Sequence, residues 1–303
     1  MEFHQLYRPL TASPFRNSAL YRELLPCPAL RPWVRCFWGT DRHRPEIGTL
    51  VTPDTCMDLI LEIPQDGAPV TGCFCGINDR AFVTPGSAGA QSSTFAVRFY
   101  PWAAALFADA PLTDSKNLIC PAQQLFPRLY RALAPRMQAC TTLAGRAGEA
   151  EQILLSSLQT DRSGETVLQA SWEMLCRRGS IDQLSRSLHI STRQLERLFQ
   201  SRIGLPPKAL ACLIRYQLLW RDALQPGFDV QDAVFRYGYT DQAHLLRDFK
   251  RFHTMTIPQA LAYARKDAVF YKKFPSFFRK IRASSRHGQR LNQSDRYSQE
   301  ETT

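Results

Sequence analysis

Two stretches in the C-terminal half of the sequence place arginines at helical spacing opposite an apolar stripe. In residues 191–203, Leu195 and Phe199 recur on one side of a 3.6-residue repeat, and Arg193 and Arg197 fall on the other side. One guanidinium group can donate to O6 and N7 of a guanine together, so exposed arginines on a helix in the major groove can read base sequence. This pattern predicts DNA recognition.

The arrangement is repeated further along the chain. Residues 241–252 predict a second helix of the same kind, whose expected cap Thr240 lies 49 residues after Ser191, the expected cap of the first. Its apolar side carries Leu245, Phe249 and Phe252, and its polar side carries His244, Arg247 and Arg251. Two copies of one geometry favour DNA contact over solvated surface charge.

Neighbouring elements must position these two helices. Residues 181–188 predict a short helix before the first copy, and Ser191 with Gln194 can form a capping box at its start. Residues 230–235 predict the equivalent short helix before the second copy. Residues 206–224 predict one helix between the two units, about 30 Å long. Because successive major grooves lie about 34 Å apart, one chain could read two adjacent grooves.

The charge distribution supports a polyanionic partner for the C-terminal half. The formal net charge of +11 divides into +1 for residues 1–164, +4 for residues 165–264 and +6 for residues 265–303. A hydrophobic content of 44% excludes wholesale disorder. The sequence has neither a long apolar run nor the features of an export signal, so we expect a cytoplasmic protein without membrane association.

The N-terminal half predicts strands followed by helices. Residues 57–63 and 93–99 alternate in polarity, which is typical of strands with one buried face, and Ala- and Leu-rich runs at 102–107 and 147–158 predict helices. The expected fold class is therefore α+β. The expected parts are a β-rich effector or dimerisation domain over 1–120, a helical connector over 121–164, an all-α tandem helix-turn-helix DNA-binding domain over 165–264 and a basic, flexible tail over 265–303.

The remaining candidate chemistry is weaker. Nine cysteines without a Cys-x-x-Cys pair suit free thiols, and no zinc signature is present. The four that could form a soft-metal or redox site are Cys36, Cys56, Cys73 and Cys75. Asp54 and Asp58 lie about 13 Å apart along an extended strand, too far for a shared proton, which favours turn and surface roles. We predict no catalytic residue, no metal ligand and no cofactor.

The C-terminal stretch resembles the AraC/XylS transcription regulators. The resemblance is carried by residues 181–185, 191–199, 204–208, Arg215 and 237–250. It implies a seven-helix DNA-binding domain whose third and sixth helices enter the major groove. The sequence departs from the family where Thr254 replaces the usual Gly and Ile257-Pro258 occupies the usual Thr-Pro region. We therefore expect the sixth helix to be capped differently.

The resemblance also implies which side chains read bases. They are Arg193, Glu196 and Arg197 in the first helix and Ala243, His244 and Arg247 in the second, and periodicity adds Gln200 and Arg251. More weakly, the N-terminal half resembles a domain of unassigned function that precedes this tandem motif in some family members, through residues 33–38, 53–60 and 97–101. This implies that the N-terminal half senses a small-molecule effector or forms a homodimer.

Together these patterns predict a non-enzymatic, sequence-specific transcription regulator that reads two adjacent major grooves of double-stranded promoter DNA. One alternative is a DNA-anchored enzyme with cysteine-based chemistry, such as alkyl transfer, in the N-terminal half. A second alternative is a partner-docking protein that binds no DNA.

Overall fold

The structure, a computed structural model, combines a β-rich N-terminal part with a helical C-terminal part, so the predicted α+β fold class is confirmed. It describes residues 7, 9–10, 21–40, 50–83, 92–158, 162–176 and 180–264. The basic tail predicted at 265–303 lies outside the described residues.

The N-terminal domain is built on an antiparallel sheet. The strands of the described residues are β1 (Tyr21–Leu24), β2 (Val34–Thr40), β3 (Leu50–Val51), β4 (Met57–Pro64), β5 (Thr71–Cys75), β6 (Phe82–Val83), β7 (Ser92–Phe99) and β8 (Ile119–Pro121). Six of them form one sheet in the order β1-β2-β7-β4-β5-β8, and β3 pairs with β6. Strand β4 alternates in burial as predicted, whereas the central strand β7 is buried on both faces from 93 to 99, so its predicted one-sided burial is wrong.

One face of the large sheet packs against helices. These are α1 (Ala122–Leu125), α2 (Pro127–Ala139) and α3 (Leu143–Ser157). The approach is close, because a Cβ atom at Gly39 would lie 2.7 Å from Leu143 Cδ1 and one at Gly72 would lie 2.7 Å from Tyr130 Cε2. Glycine at these two strand positions lets the helices reach the sheet. Helix α3 confirms the predicted helix at 147–158, apart from its last residue.

The Ala- and Leu-rich run at 102–107 does not form the predicted helix. It contains only one 3-10 turn, Ala104–Leu106. Trp102 is buried, its ring centroid lies 4.7 Å from that of Tyr100, and its Nε1 donates to the Pro32 carbonyl at 2.9 Å. Anchoring this large ring in the core outweighs local helix propensity.

A buried ion cluster lies on the other face of the sheet. Arg98 on β7 donates from Nε and Nη2 to the two carboxylate oxygens of Asp58, both at 2.8 Å, and its Nη1 lies 3.7 Å from Asp54 Oδ2. The three side chains are 6% (Arg98), 13% (Asp58) and 14% (Asp54) exposed, so the predicted surface role of the aspartates is wrong. Both carboxylates turn towards one guanidinium, a convergence that spacing along one strand does not reveal.

The described residues from 162 onwards contain seven helices, the number that the family resemblance implies. They are α4 (Arg162–Cys176), α5 (Ile181–Ser187), α6 (Thr192–Ile203), α7 (Pro207–Ala223), α8 (Val230–Tyr237), α9 (Gln242–His253) and α10 (Ile257–Ala264). The third and sixth of these, α6 and α9, are the two predicted DNA-reading helices. Within the part of the chain that the structure describes, no helix is long and apolar enough to span a membrane.

We predict that Asp54→Asn flattens the pH dependence of stability. Burial raises the pKa of Asp54 to about 6, against the opposing effect of Arg98. A carboxyl group whose pKa is raised by folding stabilises the fold most when protonated; its contribution is complete below the ordinary pKa of about 4 and is lost as the pH rises through the folded value. The free energy of unfolding, measured by urea denaturation, should therefore fall between pH 4 and pH 6 in the wild type and fall less in D54N.

Asp58→Asn is the matched control for this prediction. It disrupts the bidentate pair with Arg98 and leaves a buried guanidinium without that partner, so it should destabilise the protein at pH 7 by about 3 kcal/mol. At the same pH, D54N should be at least as stable as the wild type. A D54N profile with the wild-type slope would contradict the burial-driven shift.

Candidate nucleic-acid interface

The first helix-turn-helix unit is formed by α5 and α6. Each helix begins with a capping box, in which Gln183 N donates to Ser180 Oγ and Gln194 N donates to Ser191 Oγ, both at 3.2 Å. The box at Ser191 is the predicted one. The box at Ser180 was not predicted, although its Ser-x-x-Gln spacing was present in the sequence. Between the helices, His189 takes a left-handed backbone conformation with φ 54°, which keeps the turn short.

Burial of one stripe sets the rotation of α6. Leu195 and Phe199 are fully buried. Arg193, Glu196 and Arg197 are exposed on the opposite side, where the sequence predicted them. The structure therefore brings these three predicted readers together on one outer face.

Gln200, the fourth predicted reader on α6, lies elsewhere. Its side chain is half-buried, and its Nε2 lies 3.5 Å from Oδ1 of Asp114 in the N-terminal domain. In this structure Gln200 therefore faces the N-terminal domain.

The spacer helix α7 has 17 residues and spans about 25 Å. Its buried side contacts α9: the Tyr216 hydroxyl lies 2.7 Å from His253 Nδ1, and the ring centroids of Trp220 and His253 are 4.7 Å apart. Burial lowers the pKa of His253 to about 3, so the imidazole is neutral at pH 7. These contacts between the spacer and α9 are therefore uncharged and buried.

The second unit is formed by α8 and α9. Helix α9 is capped by Asp241, whose Oδ1 accepts from His244 N at 2.6 Å. The predicted cap, Thr240, is therefore wrong by one residue. A hydroxyl group and a carboxylate can both accept this hydrogen bond. Only the carboxylate also carries a negative charge that interacts favourably with the positive end of the helix dipole.

The outer side of α9 presents Ala243 and Arg247, which are both exposed. His244 is half-buried, and its ring meets the Tyr239 ring edge-on at 5.2 Å between centroids. Of these three predicted readers, the structure therefore leaves Ala243 and Arg247 open to solvent and holds His244 against the preceding turn.

Asp248 joins α9 to the spacer. It is 8% exposed and accepts from Arg215 Nη2 on α7 at 3.1 Å and from the Tyr239 hydroxyl at 3.3 Å. The Arg215 guanidinium also lies 4.2 Å from the centroid of the Tyr239 ring. Arg251, another predicted reader, is exposed and lies 2.8 Å from the other Asp248 oxygen.

Asp248 is a structural residue that the sequence patterns did not single out, although a signal was present. Asp248 lies one turn from both Leu245 and Phe252, so it falls on the apolar side of the helical repeat. A carboxylate on a buried stripe needs a charged or hydrogen-bonding partner. Only the structure shows that Arg215 on the spacer is that partner.

The end of α9 keeps a glycine-type cap. Thr254 takes the left-handed conformation with φ 65°, and its N–H donates to the Lys250 carbonyl at 2.9 Å. Gly204 ends α6 in the same way with φ 75°. The expected difference in capping is therefore absent from the backbone, although a threonine in this conformation costs about 1 kcal/mol more than a glycine.

Of the candidate cysteines in the N-terminal domain, Cys36 and Cys56 are buried and Cys75 is half-buried. Burial raises the pKa values of Cys36 and Cys75 to about 12 and raises that of Cys56 well above its ordinary value. Since the thiolate is the nucleophile, these three thiols are poorly suited to alkyl transfer at pH 7. The described residues contain no cluster of three or more candidate metal ligands.

Two family models match the chain. Residues 184–262 match a helix-turn-helix domain, and residues 22–121 match a domain of unknown function (DUF6597). The predicted helix-turn-helix fold is thus confirmed. The sequence matches no curated protein.

Among solved structures, the chain is similar to ToxT from Vibrio cholerae. A lysine-to-alanine variant in the apo form is 9% identical, with 74% of this chain and 96% of that chain covered and a TM-score of 0.38. Wild-type ToxT with a bound unsaturated fatty acid is 10% identical, with 75% of this chain and 95% of that chain covered and a TM-score of 0.37. Likeness at this level does not extend to function.

We predict that Asp248→Asn destabilises the protein by about 3 kcal/mol, because Arg215 would lose the carboxylate that balances its charge beside Tyr239. Urea denaturation followed by circular dichroism at 222 nm measures this. Asp241→Asn is the matched control, since it removes one charge from the same helix but keeps a good N-cap acceptor and should cost only a few tenths of a kcal/mol. Equal losses in the two variants would contradict a structural role for Asp248.

Proposed function

We propose that this chain, whose residues 184–262 form a helix-turn-helix domain of the AraC/XylS type, is a sequence-specific regulator of transcription that binds double-stranded promoter DNA through α6 and α9. The observation that carries the proposal is the repeated register of the two helices. Arg197 lies six residues after its cap Ser191, and Arg247 lies six residues after its cap Asp241. Both arginines are exposed.

The two open faces supply discrimination between base pairs. On α6 the proposed readers are Arg193, Glu196 and Arg197, and on α9 they are Ala243 and Arg247. Arginine can bond a guanine with both arms of its fork, and the Ala243 methyl group suits contact with a thymine methyl. Phosphate contacts from the surrounding Lys and Arg residues supply most of the affinity.

Three further predicted readers are held by neighbours in the free protein. Gln200 lies against Asp114, His244 against Tyr239 and Arg251 against Asp248. We propose that these side chains contribute after a rotamer change on DNA, which is common at binding interfaces.

The spacer supports reading of two adjacent major grooves. Helix α7 spans about 25 Å, and the turns that join it to α6 and α8 add to the separation of the two units. Since successive grooves on one face of a duplex lie about 34 Å apart, α6 and α9 would occupy neighbouring grooves.

The N-terminal domain is the proposed regulatory part, which senses a small molecule or pairs two copies of the chain. The polar face of its sheet supports the first role. Trp38 is half-buried on that face beside the Arg98–Asp58 ion pair; its Nε1 donates to Asp58 at 2.9 Å, and the Arg98 guanidinium lies 5.6 Å from the centroid of its ring. Aromatic and charged groups that converge in this way are typical of small-molecule sites.

The enzymatic alternative has no comparable support. Its candidate nucleophiles included Cys36, Cys56 and Cys75, whose pKa values are raised by burial. A stable adduct on one cysteine after exposure to alkylated DNA would revive it.

Selection from a pool of random duplexes with the full chain tests the proposal. We expect an enriched motif with two half-sites whose centres are about 10 base pairs apart. Binding to that motif should weaken steeply with salt, because Lys and Arg contacts to phosphates release counterions. No enrichment above the input pool would indicate a protein that docks to partners without binding DNA.

We predict that Arg197→Ala and Arg247→Ala each relax specificity at one position, in opposite half-sites, and each cost about 1–3 kcal/mol of binding free energy. Fluorescence anisotropy on matched and mismatched duplexes measures both effects. Arg131→Ala, which removes an exposed arginine from α2 of the N-terminal domain, is the control and should bind as the wild type does. An unchanged ratio of matched to mismatched affinity in R197A would refute its assignment as a reader.

A further inference from the structure

The N-terminal domain contacts the helix-turn-helix domain at the C-terminal ends of both DNA-reading helices. The Leu112 N–H donates to the Ser201 carbonyl in the last turn of α6, and the Ala81 N–H donates to the Phe252 carbonyl in the last turn of α9, both at 2.8 Å. Together with the contacts of Gln217 with Leu10 and Pro53, these two bonds form the junction between the two domains. The last four carbonyls of a helix have no partner within that helix, so an outside donor fixes the position of the helix end.

The contact at α6 is tightly packed. A Cβ atom at Gly204, which ends α6, would lie 2.2 Å from Ser115 Oγ and 2.7 Å from the Leu112 carbonyl. Ser115 and Leu112 are both fully buried. The N-terminal domain therefore approaches the end of α6 as closely as a glycine permits.

The loop that makes this contact is itself held by the sheet. Asp114 and Asn117 take left-handed backbone conformations with φ 61° and 57°. The Asn117 N–H donates to the Ile77 carbonyl at 2.9 Å, and Asn117 Nδ2 donates to Asp79 Oδ1 at 2.9 Å. The position of α6 is thus tied to residues that follow β5.

The spacer helix is also bound to the N-terminal domain. Gln217 on α7 is 2% exposed; its Oε1 accepts from Leu10 N at 2.8 Å, and its Nε2 donates to the Pro53 carbonyl. Next to Pro53, the Thr55 hydroxyl lies 2.8 Å from the Tyr7 hydroxyl. The N-terminal domain thus holds α6, α7 and α9 at once.

We propose that the junction positions the two DNA-reading helices, so that the N-terminal domain sets which half-site spacing the protein accepts. This inference rests on the proposed function. The junction holds the C-terminal end of each helix and leaves free the N-terminal part, which carries the base readers in helix-turn-helix proteins. A change in the N-terminal domain that moves Leu112 relative to Ala81 would then alter the separation of α6 and α9.

The chain offers a matched pair of variants for the test. Gly204 and Gly238 both end helices in the left-handed conformation, with φ 75° and 65°. A Cβ atom at Gly238 meets nothing within 4 Å, whereas one at Gly204 meets Ser115 and Leu112 of the junction. Gly204→Ala and Gly238→Ala therefore impose a similar backbone strain, and only the first forces the two domains apart.

The readout is the spacing preference of the full chain on DNA. Affinities are measured for the selected duplex and for duplexes with one or two base pairs added or removed between the half-sites. The spacing preference is the ratio of the affinity for the selected duplex to the affinity for a duplex of altered spacing. We expect this ratio to fall about fivefold or more in G204A and to keep its wild-type value in G238A. Affinity of G204A for a duplex with a single half-site should match that of G238A. Equal spacing preferences in G204A and G238A would overturn the proposal.

Hydrogen exchange in the wild type tests the junction even if G204A fails to fold. The amides of Leu112 and Ala81 should exchange as slowly as amides in the middle of α7, with and without DNA. Exchange at the rate of exposed loop amides would overturn the proposal. A wild-type chain that enriches no DNA motif would overturn the proposed function as well, whereas a motif with an unchanged preference in G204A would overturn the junction alone.

Discussion

Burial of one apolar stripe on each of the two proposed DNA-reading helices is the constraint on which their outer surface depends. Leu195 and Leu245 lie four residues after their caps and are fully buried. A helix that is fixed in the core by one side cannot rotate, so the side chains six residues after the cap, Arg197 and Arg247, must face solvent. The same burial requires that any charge on the stripe be paired, as Asp248 is with Arg215 on the spacer.

The N-terminal domain is built on a sheet whose two faces differ in polarity. Its sheet packs one apolar face on helices and keeps the Arg98–Asp58 pair, joined by Asp54, on the other. This ion cluster lies close in sequence to the contact with the spacer, since the Pro53 carbonyl that accepts from Gln217 immediately precedes Asp54. The ion cluster and the contact with the helix that joins the two helix-turn-helix units are therefore adjacent in the chain.

Much of the C-terminal half was predictable because its signals are local. Helix periodicity and the capping box at Ser191 depend on residues within a few positions of one another, and the structure confirms both. The predicted cap Thr240 is wrong because Thr240 and its neighbour Asp241 can each cap a helix. The carboxylate of Asp241 stabilises the helix N-terminus more than a hydroxyl group does. In the N-terminal half the failures were non-local, as with the helix predicted at 102–107, where burial of Trp102 prevails over propensity.

The sequence by itself determined the helix-turn-helix repeat, the face of each helix that carries arginine, and the basic charge of the C-terminal half, because each follows from residue type and spacing along one segment. Only the tertiary structure decided that Asp54 and Asp58 share Arg98 and that Gln200 faces Asp114. It also decided that backbone N–H groups of one domain cap helix ends of the other. These contacts join residues far apart in the chain. Because every residue except proline carries a backbone N–H, the sequence does not indicate which of these groups bonds to the other domain.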